Sequence, residues 1–577
     1  MHSCEPDCSR QLHWADILVF SAVLVISAGI GLVYAIRARK TSAEELFVGD
    51  RKLPVLPVMF SLSVSFVSAV SILGVPSEIY TSGSDYWMVG FGYIWGLGLA
   101  GVLVLPVIYR LQLTSAYEYL ELRFNRPVRL MASFTFIFMM ICYMAIVIYA
   151  PALALSSVTG LSTEISILAV GLVCTAYTAL GGIKAVIWTD VFQTLVITSG
   201  LLALIVRGTV QVGGVSAVVD RVVNGSRAAT YPMDFDPFIR HTFWTLTVGG
   251  GFGMVAIYAA NQATLQRYLC VETLNKSRLV LLLNIPLSEF FLALMCLCGL
   301  VMFAYYHGRD PLLTGRVKKR DQLLPLFVMD LLGDLPGMPG LFIACVFSAA
   351  LSTVSSGVNS LATVAVEDFL KPLLIKLNGA LPSTRVMSFI AIGTALTFGL
   401  LTIGAAYVTG ALSPTLITVV VSVLGMLGGP LLGLMLVGLV CPWVNPWGAG
   451  AALLSSLTIC MWTAIGAITK PRSGPADNST THNVSSRFDV NDWYDLSYQH
   501  YATLAVVVSL VIGSVVSWLT CCNKGRELPR GTYYDVLRPL RCGGTGSFNL
   551  ADTNTKSQPQ DDQHQQFKMS TLDKPVL

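Results

Sequence analysis

Apolar stretches long enough to cross a bilayer recur along most of the chain. A membrane helix needs roughly 20 mostly apolar residues, and about 13 such stretches can be counted. They fall near 15–36, 54–79, 86–109, 130–155, 164–180, 185–206, 241–266, 279–305, 337–361, 386–407, 412–440, 446–466 and 500–520. The pattern predicts an all-α polytopic membrane protein. Its parts are a head at 1–14, a transmembrane domain at 15–520 and a tail at 521–577. From Arg541 the tail is rich in Gly, Ser, Gln and Asp, so it is expected to be largely disordered.

Three of these stretches carry polar residues where hydrocarbon disfavours them. The second holds six serines between Phe60 and Ser77, followed by Glu78, and contains Gly74-Val75-Pro76. Pro76 removes one helical hydrogen bond and disturbs the preceding turn. Freed carbonyls at membrane depth are tolerated where they line a cavity or meet a ligand. A proline kink with serines bonded back to their own helix fits the same residues. In the ninth, Ser352, Ser355, Ser356, Asn359 and Ser360 recur at three- and four-residue spacing, with Thr353 beside them. Hydroxyls and carbonyls together are hard oxygen ligands suited to a monovalent cation held weakly enough to leave. Polar packing between helices is the competing reading. In the sixth, Asp190 sits near one end. It is either a further cation ligand or a carboxylate favoured there by the helix dipole.

Charge sets the expected direction. The head carries one Lys or Arg, Arg10, whereas the first connection carries Arg37, Arg39, Lys40, Arg51 and Lys52. The rule that basic loops stay inside therefore puts the N-terminus outside and, after an odd number of spans, the C-terminus inside. The sequons at Asn224, Asn478 and Asn483 then fall outside as glycosylation sites, and the one at Asn275 falls inside. The first stretch is expected to serve as a signal anchor in the plasma membrane. Cys4 and Cys8 could pair outside or stay as thiols; Cys521 and Cys522 adjoin the last span, where acylation and plain thiols are both open.

Composition narrows the function. Hydrophobic residues make up 54% and charged residues 12%, with a mean hydropathy of +0.66. The net charge of +4 comes with no basic block of the kind nucleic-acid binding needs. The 13 cysteines form no CxxC pair, and there is no HExxH. No arranged nucleophile, base or metal set points to an enzyme. With no Walker-type loop, uphill transport would have to draw on an ion gradient or the membrane potential. The electrical term alone gives about 2.3 kcal/mol per charge per 100 mV.

Longer motifs add a resemblance. Thr114-Ser-Ala-Tyr-Glu-Tyr-Leu-Glu-Leu-Arg-Phe-Asn-Arg126, the stretch from Tyr177 to Gln193 that includes Trp188-Thr-Asp190, and Leu351-Ser-Thr-Val-Ser-Ser-Gly-Val-Asn-Ser360 with its continuation to Asp368 are similar to sodium/solute symporters. The likeness runs from about residue 15 to 520 and points to the branch that carries vitamins, monocarboxylates and iodide. Ile72-Leu-Gly-Val-Pro-Ser-Glu-Ile-Tyr80 and Asp236-Pro-Phe-Ile-Arg-His-Thr-Phe-Trp-Thr245 lean toward its vitamin carriers. The resemblance implies two inverted five-helix repeats, about 54–206 and 241–440, with ion and substrate sites near the midplane between them.

It also implies a sodium site. The carbonyls of Val64, Val67 and Ala349 and the hydroxyls of Ser352 and Thr353 would bind the ion, with Asp190 acting directly or indirectly. Ser65, Ser68, Ser355, Ser356 and Asn359 would serve a second ion or a substrate carboxylate, and Tyr143 and Trp244 would face the cavity. Ser71 and Val421 stand where an iodide carrier has larger side chains, leaving room for an organic anion. No cofactor is expected beyond sodium as coupling ion; the partners are sodium, a small organic anion and the bilayer. The leading expectation is a symporter coupling inward sodium flow to uptake of biotin, pantothenate or lipoate. Short monocarboxylates such as pyruvate and lactate, or iodide, are the alternative cargo. A channel and a ligand sensor that moves nothing are the alternatives from other classes.

Overall fold

A computed structural model describes residues 13–37, 43–159, 162–230, 232–409, 415–470, 493–520 and 532–534. Cys4, Cys8, Asn478, Asn483, Cys521 and Cys522 lie outside the described residues. Every regular element among the described residues is helical. Ten helices are long and apolar enough to cross a membrane, and a bent pair makes a possible eleventh span.

In chain order, α1 is Trp14–Arg37, α2 Val55–Val64 and α3 Ala69–Ser82. Then come α4 at Ser84–Leu111, α5 at Arg126–Thr159, α6 at Thr163–Val212 and the short α7 at Val215–Asn224. Next are α8 at Thr245–Ala260, α9 at Gln262–Leu269, α10 at Leu274–Tyr305 and α11 at Met338–Val364. The last four are α12 at Thr384–Thr409, α13 at Leu416–Val440, α14 at Pro446–Thr469 and α15 at Tyr498–Leu519.

The count of about 13 spans is not reproduced as 13 long helices. Two expected spans are short apolar helices instead, Thr163–Val173 and Thr245–Ala260. The first is parted from the rest of α6 at Gly182, where φ is +60° and ψ is −175°. A side chain there would be strained, and its Cβ would come within 3.1 Å of the Leu46 carbonyl oxygen. The second ends at Asn261, whose backbone is extended and whose side chain caps α9 by accepting from the Ala263 N–H at 2.9 Å.

The second expected span is broken, but not at its proline. The bend of 58° lies between α2 and α3, and Pro76 sits inside α3. Serine chemistry locates the break. Ser68 adopts extended backbone and its Oγ accepts from the Ser71 N–H at 3.3 Å, starting a new helix. Among the described residues, no N–H bonds the carbonyls of Val64 or Val67 across this gap.

Burial ranks the helices. In α11, 94% of the most apolar window is buried, against 11% in α1. α11 is therefore the central helix, and α1 presents most of its surface outward. α6 packs along α11 in antiparallel register, since Asp190 meets Ser352 and the Cys345 thiol meets the Ile197 carbonyl. In the tail, Thr532–Tyr534 is held: the Tyr534 N–H donates to the Leu439 carbonyl at 2.7 Å, and both end residues are buried.

Candidate functional site

The polar face of α11 meets the α2–α3 break and α6 at one point. Asp190 is fully buried there. Ser61 donates to its Oδ2 at 2.5 Å and Ser352 to its Oδ1 at 2.6 Å. Arg267, on α9, reaches the same carboxylate with Nη2 at 3.3 Å. Neither member of this ion pair is exposed, at 0% each. The guanidinium also donates Nε to Ser61 Oγ at 2.9 Å, Nη1 to the Ala263 carbonyl at 2.8 Å and Nη2 to Ser356 Oγ at 2.6 Å. A buried charge pair is tolerated when the remaining donors and lone pairs are met in this way.

The expected residues fall into two groups. Ser65, Asp190, Ser352, Ser355 and Ser356 are gathered. Ser65 Oγ lies 3.0 Å from Ser356 Oγ, and Ser355 and Ser356 donate back to the Ser352 carbonyl at 3.0 and 2.7 Å. Thr353 donates to the Ala349 carbonyl at 3.0 Å, and Tyr143 lies beside Ser68 and Thr353. Ser68 Oγ lies 3.3 Å from Ser71 Oγ. Asn359 turns to Gln266, donating Nδ2 to its Oε1 at 3.4 Å. Trp244 makes its ring contact elsewhere, stacking on Phe235 at 4.6 Å between centroids.

Hydroxyl oxygens of this set are hard ligands, but those of Ser61 and Ser356 already accept from Arg267. A hydroxyl that donates its hydrogen keeps its oxygen lone pairs for an ion. Ser352 does so to a carboxylate, which makes that oxygen more negative. Asp190 already receives three donors, so its influence on an ion at the Ser352 oxygen runs through Ser352. Ser65, Ser68, Ser352, Thr353, Ser355 and Ser356 are all buried.

Two features were not assigned from sequence. Arg267 stands just past the stretch at 241–266, and Gln262, Gln266 and Arg267 on one short helix are the polar signal that marks it. The second is a charged cluster at the end of α3. Arg240 Nη2 donates to both oxygens of the buried Glu78 at 3.1 and 3.0 Å and to Thr418 at 3.3 Å. This ties α3 to α13.

Comparison with known proteins follows the same lines. The family model described as Sodium:solute symporter family matches residues 46–456. The sodium-dependent multivitamin transporter of Oryctolagus cuniculus is 44% identical over 91% of this chain and 85% of its own. The human sodium-coupled monocarboxylate transporter 2 is 40% identical over 89% and 85%. The human sodium-coupled monocarboxylate transporter 1 is 39% identical over 89% and 88%. Among solved structures, a Na+-coupled sialic acid symporter in a substrate-bound outward-open state superposes with a TM-score of 0.74 at 24% identity, covering 88% of this chain and 98% of its own. That last likeness bears on the fold alone.

Proposed function

The chain belongs to the sodium:solute symporter family, and from that premise we propose that it carries a small organic monocarboxylate inward with sodium. As a member of that family it is a sodium-coupled, multi-pass membrane transporter and not an enzyme. Biotin, pantothenate and lipoate are the first cargo. The observation that carries the reading is the hydroxyl cluster around Asp190, set where α2 breaks against α11. The 44% identity to a multivitamin transporter supports the vitamin cargo. Identities of 39–41% to monocarboxylate transporters support pyruvate and lactate as the second reading.

In this reading sodium binds the carbonyls of Val64, Val67 and Ala349 and the hydroxyls of Ser352 and Thr353. Asp190 polarises Ser352. Ser65, Ser68, Ser71, Ser355, Ser356 and Asn359 serve a second ion or the substrate carboxylate, with Tyr143 beside them. Trp244 belongs to the cavity wall only when the helices open. Residues 54–206 and 241–440 form the two inverted repeats, each opening on a broken helix: α2–α3 in one, α8–α9 in the other. Sodium holds α2 against α11 and completes the substrate pocket, so substrate affinity rises with sodium. The Glu78–Arg240 pair closes the outer end of α3 against α13 and separates when the site opens outward.

The test is uptake in a cell of low background. Labelled biotin, pantothenate, pyruvate and iodide are each offered with sodium or with choline in its place. The expected result is sodium-dependent accumulation of the vitamins. Accumulation of pyruvate alone would move the cargo to the second reading. Failure of all four, with protein shown at the surface, would overturn the proposed cargo class.

Topology has its own test. Asn224 is exposed at the end of α7, on the face expected to be outside. Asn224→Gln should run faster on a gel, and a glycosidase should abolish the difference. Equal mobility before and after glycosidase would count against an outside α7. Asn275, on the opposite side, should stay unmodified in either case.

A further inference from the structure

A half-buried acid stands apart from the cluster around Asp190. Glu289 lies in the middle of α10, 15 residues from Leu274 (289 − 274) and 16 from Tyr305 (305 − 289). At 1.5 Å per residue it is about 22 to 24 Å from either end of the helix. Its Oε1 is buried with no hydrogen-bond partner. Its Oε2 rests on the backbone of α4, where a Cβ on Gly90 would collide with it. An ionisable group at such depth marks a functional site by default.

The carboxyl lines a cavity of about 720 Å³, a size typical of small-molecule sites. The walls come from α4, α6 and α10, and the roof is the valine face of α7. From Glu289 to Val301 the slot follows 12 residues of α10 (301 − 289), about 18 Å. Trp87, Phe91 and Val301 are typical of the lining, with Ser84 and Thr209 the hydroxyls. No Lys, Arg or His is among its lining residues. The slot is thus long and mainly apolar, and it holds one acid with an oxygen that has no hydrogen-bond partner. A cationic occupant would supply the counter-charge that the lining itself does not.

We propose that this slot binds a lipophilic amine, its single protonated amino group paired with the Glu289 carboxylate and its apolar body running toward Ser84. Such an occupant wedges α4 and α6 against α10. It would restrain any movement between them, whatever solute is carried.

The test uses the full-length protein in lipid nanodiscs and a diazirine-bearing dodecylamine, beside the matching dodecanol. The amine should label peptides of α4 and α10. Glu289→Gln should cut that labelling at least fivefold, and the alcohol should label weakly in both proteins. Val301→Trp, which fills the slot and keeps the acid, should also cut labelling by the amine. Amine labelling unchanged in Glu289→Gln would overturn the proposal, as would alcohol labelling equal to that of the amine. Should Glu289→Gln not reach the membrane, Val301→Trp decides: undiminished labelling in it overturns the site.

Discussion

Replacing Ser352 and Thr353 together by alanine raises the sodium concentration for half-maximal uptake severalfold or abolishes uptake, with the protein still at the cell surface. Both side chains are buried and both are short, so their loss removes little packing. It removes two of the five oxygens proposed to hold the ion. Each lost contact weakens sodium binding, and as little as about 1.4 kcal/mol is tenfold in affinity. A second effect has the same sign. Without Ser352, the Asp190 carboxylate loses a donor at 2.6 Å and no longer polarises an ion ligand. Uptake measured against sodium, with surface protein quantified by biotinylation, reads the result. An unchanged sodium dependence would remove these hydroxyls from the sodium site.

The same two residues show what could be read from sequence and why. The α11 face repeats at three and four residues, a signal that needs only helical geometry. Hydropathy likewise placed the long spans, because length and apolarity are local properties. Pro76 is the strongest local disruptor in the stretch and predicts a break there. The break occurs instead where serines offer the backbone alternative partners, while Pro76 is carried inside α3. The division of α6 at Gly182 falls between the expected stretches 164–180 and 185–206, where Gly181-Gly182 is a local signal for a break.

Arg267 is the clearest case of long-range information. Its partners Asp190 and Ser61 are 77 and 206 residues away in sequence. Viewed locally, it is one basic residue beside an apolar stretch, the usual place for a side chain at the membrane surface. Only the fold turns it inward. The family resemblance implies a role for Asp190 but none for Arg267, the group that balances its charge.

Arg267 should therefore be among the residues least tolerant of change. Arg267→Met keeps the bulk of the chain and removes the charge. It leaves Asp190 buried with two hydroxyl donors and no counter-ion. Breaking a buried pair by removing one partner costs about 3–5 kcal/mol, whereas replacing both partners is often close to neutral. The expected result for Arg267→Met is a large loss of protein at the surface and of uptake. Adding Asp190→Asn should restore much of the surface protein, because the uncompensated charge is gone. Uptake should stay low in the double variant, since Ser352 then faces a neutral amide and no longer offers the ion as negative an oxygen. Surface biotinylation of the two single variants and the double variant forms a cycle that isolates the coupling between the two side chains. Additive losses would mean that the charges do not stabilise one another. Normal uptake in the double variant would mean that sodium is held without help from Asp190.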